Sequence, residues 1–357
     1  MSSMKALRTY LICLVYFLIG SASLLAQEEP DHDHVVDTID TSADIFEDPN
    51  PMQITLTLDL KKYQKEKFKG EYLPAIFHYQ FNDTLILEKD MRIKARGNFR
   101  RQYCSFAPFW LNIRKADVAN QHLQGVNRIK IVTQCRGGGG YDDYVLKEFL
   151  TYRIYNIISP VSFRVRLVKL RYIDTGRKNK MTESWAFMIE PEELLAERLD
   201  GVVIKKDDLS MRHMAPEDMD RVALFMYFIG NADYSVTGRH NVKALGVGNY
   251  GVTGYTPVPY DFDYSGLVDA HYAVPSENLS IQSVRERYFL GPCREDKDYR
   301  LAMDHLVKHR EEILDEIQDF PFIDDKIRKD MIGYVESYFS QAESNQFIEY
   351  NLKSTCR

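Results

Sequence analysis

The apolar residues of this 357-residue chain change their period partway along, and that change most limits the folds open to it. From about residue 52 the pattern is strand-like. Gln53-Ile54-Thr55-Leu56-Thr57-Leu58 alternates polar and apolar, as a half-buried strand does. Further strand candidates are 72–79, 84–94, 108–114 and 127–133. Over 142–158 the period turns helical, with Val145, Phe149, Tyr152, Ile154, Tyr155 and Ile158 on the repeat and Pro160 ending it. Two more strands, 163–173 and 184–189, flank a turn-rich stretch. Beyond Pro191 helices are expected over 191–199, 216–230, 298–318 and 324–340. This order defines an α+β chain: residues 52–190 are β-rich with one helix, and residues 191–357 are helical. A bilobal kinase-like architecture has this order, with a β-rich first lobe and an α-rich second lobe, and so do many unrelated α+β proteins.

The amino terminus precedes all of this with a different kind of segment. Lys5 and Arg8 make a positive start, Tyr10 to Ile19 an apolar run, and Leu24-Leu25-Ala26 is followed by the polar Gln27-Glu28-Glu29. These are the parts of a cleavable export signal over residues 1–26. A retained anchor would need about 20 consecutive apolar residues, and Gly20 to Ser23 interrupt the run first. No later stretch is apolar enough to span a bilayer, so no integral membrane segment is expected in the mature chain. Residues 27–51 lack apolar periodicity, are acidic, and read as a disordered linker. Within them Asp31-His32-Asp33-His34 offers weak metal ligands, although a solvated acidic linker explains the run better.

Loss of the signal lowers the formal charge from −6 to −8, with no basic block to suggest a nucleic-acid partner. It also leaves Cys104, Cys135, Cys293 and Cys356, an even number without a C-x-x-C pair. That excludes the usual zinc-ribbon and thioredoxin spacings. Four cysteines allow three pairings. Proximity suggests Cys104 with Cys135 and Cys293 with Cys356, and free buried thiols are the alternative.

The residues most suited to chemistry lie between 226 and 266. An apolar helix runs into Asn231-Ala232-Asp233, then Gly238-Arg239-His240-Asn241, and a short strand delivers Pro259-Tyr260-Asp261-Phe262-Asp263. Phosphoryl transfer needs one carboxylate to orient the attacking hydroxyl, and an amide oxygen with a second carboxylate to hold Mg²⁺. Asp233 precedes Asn241 by eight residues rather than the five of the protein-kinase loop, and Asp261-Phe262-Asp263 stands where that fold has Asp-Phe-Gly. Taken singly, either Asp could merely cap a turn. A kinase also needs a strand lysine paired with a helix glutamate. Lys130 in Ile129-Lys130-Ile131 and Glu148 on the 142–158 helix are candidates, with Lys94 and Lys169 as competitors and a solvated Lys–Glu pair as the plain alternative. Arg96-Gly97-Asn98-Phe99-Arg100-Arg101 follows a strand and is rich in donors, so it could approach nucleotide phosphates with backbone N–H groups and arginines, or simply close a hairpin with a solvated basic face. The run of glycines from Gly137 to Gly140 is not followed by Lys-Ser/Thr, so it is not a P-loop.

With these residues in view, the chain resembles the spore-coat-protein-H-like (CotH) atypical kinases over about residues 90 to 266. Arg96-Gly97-Asn98 looks like that family's Arg-Gly-Asn turn. Lys130-Ile131-Val132 and the helix around Glu148 are similar to its next strand and helix. Trp185 to Glu190 resembles its hinge strand. Asn231-Ala232-Asp233 and Tyr260-Asp261-Phe262-Asp263 look like its catalytic and metal-binding segments. Tyr260 departs from the family's usual Trp, and the serines that usually follow Asn98 are missing. The resemblance implies a divergent protein-kinase fold. In it Asp233 is catalytic, Asn241, Asp261 and Asp263 hold Mg²⁺ or Mn²⁺, and Lys130, Glu148, Arg96, Asn98 and Glu190 handle ATP. The implied function is an exported kinase, secreted, periplasmic or on the cell surface, that phosphorylates a protein hydroxyl in the cell envelope. The alternatives are a catalytically silent pseudokinase that binds or supports envelope partners, and a disulfide-bonded envelope protein whose acids only cap turns.

Overall fold

The computed structural model describes residues 44–80, 86–112, 126–138 and 140–357. The expected export signal, Asp31 to His34 and most of the acidic linker lie outside the described residues.

Seven strands build the β-rich half: β1 (Met52–Leu58), β2 (Leu73–Gln80), β3 (Ile86–Ala95), β4 (Phe109–Asn112), β5 (Arg128–Thr133), β6 (Val165–Asp174) and β7 (Lys180–Ile189). They close into a barrel in the order β1-β2-β3-β4-β5-β7-β6. Closure comes from a parallel pairing of β1 with β6, in register from Met52 against Val168 to Leu58 against Asp174; the other ladders are antiparallel. Alternation sends Met52, Ile54, Leu56 and Leu58 inward to a core shared with Ile93, Phe109, Ile129, Ile131 and Leu170.

Two short helices interrupt the strands. Helix α1 (Leu60–Glu66) was not expected, yet its signals are local. The Asp59 side chain accepts from Lys62 N, and Leu60 and Tyr63, three apart, are both buried. Helix α2 (Phe99–Tyr103) follows β3, and α3 (Tyr141–Ile158) connects β5 to β6.

The helical half contains α4 (Glu192–Arg198), α5 (Pro216–Phe228), α6 (Tyr250–Thr253), α7 (Asp296–Lys308), α8 (Arg310–Asp319) and α9 (Asp325–Ala342). It also carries a small sheet in the order β10-β9-β8, from β8 (Val202–Val203), β9 (Val242–Gly246) and β10 (Thr256–Pro259). The single helix expected over 298–318 is two, parted at His309. Mixed α+β content is as the periodicities imply. The bilobal division expected at residue 190 is blurred, because α3 and residues of β5, β6 and β7 such as Val132, Leu167 and Phe187 share one apolar core with α5 and α9.

The expected linker needs correction at its end. Residues 44–51 pack on the barrel: Phe46 is buried in its core, Asp44 pairs with Arg164 at 2.8 Å and Asp48 with Arg166 at 2.7 Å. Opposite charges at the start of β6 and just ahead of it hold a segment whose composition alone reads as solvated. Both disulfides expected from proximity are formed, Cys104–Cys135 and Cys293–Cys356. The first ties the end of α2 to the segment leading into α3.

Candidate active site

The site begins where α5 stops. Gly230 ends the helix with φ +68, and a Cβ there would meet Tyr334 Oη at 2.1 Å, so only glycine fits. Asn231 Oδ1 accepts from Asp233 N at 2.8 Å, turning the chain outward. Asn241 Nδ2 then donates to the Asp233 carbonyl at 2.7 Å and to Asp233 Oδ2 at 3.1 Å, while His240 Nε2 lies 3.0 Å from Asp233 Oδ1. The bond to Asp233 raises the His240 pKa. The two segments singled out in the sequence meet here: Tyr260 N donates to Asn241 O at 2.9 Å, and Gly266 N to Gly230 O at 3.1 Å.

Asp261 follows in a left-handed conformation, φ +65, with its N–H donated to Tyr152 Oη at 2.8 Å. Phe262 is buried against Tyr152 and Phe225. Anchoring this ring in the core leaves Asp261 half-buried at the surface of the site and turns Asp263 inward. One carboxylate oxygen each from Glu148, Asp261 and Asp263 lies within 4.8 Å of the others. Arg100 enters this group from α2. Its Nη2 is 2.6 Å from Glu148 Oε2 and its Nε 2.7 Å from Asp263 Oδ2, and Tyr272 Oη donates to the same Asp263 oxygen at 3.1 Å. Burial pushes the Glu148 carboxyl up to about 8 against the pull of Arg100, and raises Asp263 as well. Although burial works against its charge, Asp263 and Glu148 keep Arg100 firmly protonated. This carboxylate set suits a hard divalent cation, which takes oxygen ligands.

Beside it opens a cavity of about 480 Å³ whose lining includes Tyr72, Arg96, Trp110, Arg128, Lys130, Glu192, Lys243 and Tyr260. Lys130 Nζ sits 4.8 Å from the Tyr260 ring centre and 5.6 Å from those of Trp110 and Phe163. Burial among rings, then repulsion from Arg96 and Lys243, lowers its pKa to about 7. Arg96 and Arg128 lie over the faces of Trp110.

Several expected roles change with these positions. Glu148 is the partner of Arg100, not of Lys130, and among the described residues Lys130 is paired with no carboxylate. Glu190 is fully buried and points away from the cavity. Arg164 and Arg198 take its two oxygens, at 2.8 and 3.0 Å, because β6 and α4 converge on the end of β7. Asn98 is exposed and makes no capping bond. Lys169 lies over Trp185 near Glu183, and Lys94 over Tyr72 at the outer edge of the cavity wall. Arg96 and Lys130 do share the cavity, Asp261 and Asp263 lie together with Glu148, and Asn241 links Asp233 to the backbone of Tyr260. Tyr272 was not singled out in the sequence; Arg100 was grouped with the Arg96 turn and Tyr152 with the apolar repeat of its helix, so neither was placed with the acids it meets.

No protein-family model matches the chain, and no curated protein matches it. Among solved structures, the crystal structure of a Helicobacter pylori proinflammatory kinase CtkA is similar over 65% of this chain and 90% of that one, at 10% identity and a TM-score of 0.39. The likeness is a distant one. Among the described residues no helix is long and apolar enough to cross a membrane.

Proposed function

We propose that the protein is an exported atypical kinase of CotH-like type, moving the γ-phosphoryl group of ATP to a hydroxyl of a protein substrate in the cell envelope, with Mg²⁺ or Mn²⁺. The observation that carries this reading is the joint between the two segments. Asn241 binds Asp233 through its side chain and Tyr260 through its carbonyl, which sets the hydroxyl-orienting acid beside Asp261. In the transfer a bond forms from the acceptor oxygen to the γ-phosphorus, the bond to the β–γ bridging oxygen breaks, and the acceptor proton passes to Asp233. His240, held at Asp233 Oδ1, keeps that carboxylate turned toward the acceptor. Asp261 and Asp263, with Asn241, would hold the divalent ion, whose charge offsets that of the phosphate oxygens. Lys130 and Arg96 would meet the phosphates, and the rings of Trp110 and Tyr260 offer faces for the base. Export is supported by the paired disulfides, which persist in oxidising compartments.

A second reading, a catalytically silent pseudokinase, is favoured by one observation: Lys130 lacks the glutamate partner that an active kinase needs. Labelled ATP with Mg²⁺ or Mn²⁺ separates the two. Transfer to protein that falls at least a hundredfold in Asp261→Ala supports the kinase. Nucleotide binding without transfer supports the silent form. A melting temperature indifferent to nucleotide and metal sinks both.

A further inference from the structure

Phosphoryl transfer requires a divalent ion but does not fix how many the site accepts. Oxygens on opposite sides of an octahedral Mg²⁺ stand about 4.2 Å apart, twice a bond of 2.0–2.1 Å. The oxygens of Glu148, Asp261 and Asp263, within 4.8 Å of one another, need only small rotations to meet one ion. Arg100 already occupies part of this space, gripping Glu148 Oε2 and Asp263 Oδ2 together. The other oxygen of Glu148 is different. Oε1 is buried, and no donor reaches it, although the residue is only 1% exposed.

An acceptor left alone in the interior costs free energy, and more so on a charged group. It is satisfied by a proton or by a cation. In the cation-bound case Glu148 is ionised, and three carboxylates with one guanidinium carry a net of two negative charges, which a single divalent ion balances. A second ion between Glu148 and Asp263 would have to displace a guanidinium held by two short, buried, charge-assisted bonds. The disulfide from Cys104 to Cys135, four residues past Arg100, restrains the short helix that carries it.

We propose that this site takes one divalent ion, with Glu148 as a third carboxylate ligand through Oε1, and that Arg100 stands where a second ion would bridge Glu148 and Asp263. This rests on the phosphoryl-transfer reading and narrows it: the transferred phosphate would be handled by one ion and fixed cations.

The test is the number of Mn²⁺ ions bound per chain, counted by electron paramagnetic resonance with a non-hydrolysable ATP analogue on the oxidised protein. Wild type should bind one. Arg100→Gln should bind two, and Glu148→Gln should hold its ion at least tenfold more weakly, with circular dichroism confirming that each variant is folded. Two ions on the wild type, or unchanged affinity in folded Glu148→Gln, overturns the proposal. Should either variant fail to fold, the wild-type count alone decides. Two ions alongside intact phosphate transfer defeat only this inference, whereas no bound Mn²⁺ at all defeats the phosphoryl-transfer reading with it.

Discussion

Two polar regions meet at Tyr260-Asp261, and they treat charge in opposite ways. On one side Glu148 and Asp263 are buried and answered by an internal cation, Arg100, at 2.6 and 2.7 Å. On the other, Lys130, Arg96 and Arg128 face a cavity with no carboxylate partner among the described residues, only aromatic rings. The first region is answered from within except at Glu148 Oε1, and the Arg100 bonds that hold its carboxylates contribute to the fold. The second pairs Lys243 with Glu192 but leaves Lys130, Arg96 and Arg128 without a carboxylate, which suits an anionic ligand more than it suits stability. The contrast shows how one small volume can hold a structural ion pair and a binding site without the two neutralising each other.

The comparison can be broken most directly at Arg100. Arg100→Ala strands two buried carboxylates, and removal of one partner from a buried pair costs roughly 3–5 kcal/mol. Urea unfolding should show that loss; a change below about 1 kcal/mol would place the pair among weak surface bridges. The matching substitution across the divide should behave otherwise. Lys130→Met removes a desolvated ammonium and no ion pair, so it is expected not to lower stability, yet to weaken binding of the ATP analogue by about 10- to 100-fold, the worth of a lost charge-assisted contact. Calorimetric titration of both variants reads this out, and equal nucleotide affinity would remove Lys130 from the site.

The last expected effect is on pH dependence. Lys130 titrates at about 7 in the folded protein against 10.5 for an ordinary lysine. Between those values the unfolded chain binds one more proton than the native one, so stability rises with pH there and is lost as pH falls through about 7. Melting temperatures measured across that window should rise less in Lys130→Met than in wild type. Identical profiles would mean that the ammonium is not desolvated among its rings.

How much of this was legible beforehand depended on distance along the chain. Asp233, Asn241, Asp261 and Asp263 lie within about 30 residues, on the loops that follow a helix with an apolar second half and a short strand, so local pattern was enough to group them. Arg100 and Glu148 are 48 residues apart and meet only through tertiary packing. Nothing in either neighbourhood announces the other, and Glu148 was assigned to the nearer strand lysine instead. Glu190 misled for a related reason. A glutamate closing an apolar strand looks like a hinge residue that handles ATP, but arginines just ahead of β6 and on α4 arrive to bury it. The parallel β1–β6 ladder that closes the barrel pairs segments more than a hundred residues apart, and alternation cannot specify which edges meet.

The packed residues ahead of β1 have a practical consequence. Were the chain shortened to begin at Met52, Arg164 would lose its contact with Asp44 and buried Arg166 its contact with Asp48, and a hole would open where Phe46 now sits. The folded body thus starts at least eight positions upstream of its first strand, and any cut within residues 44–51 would remove part of the structure itself.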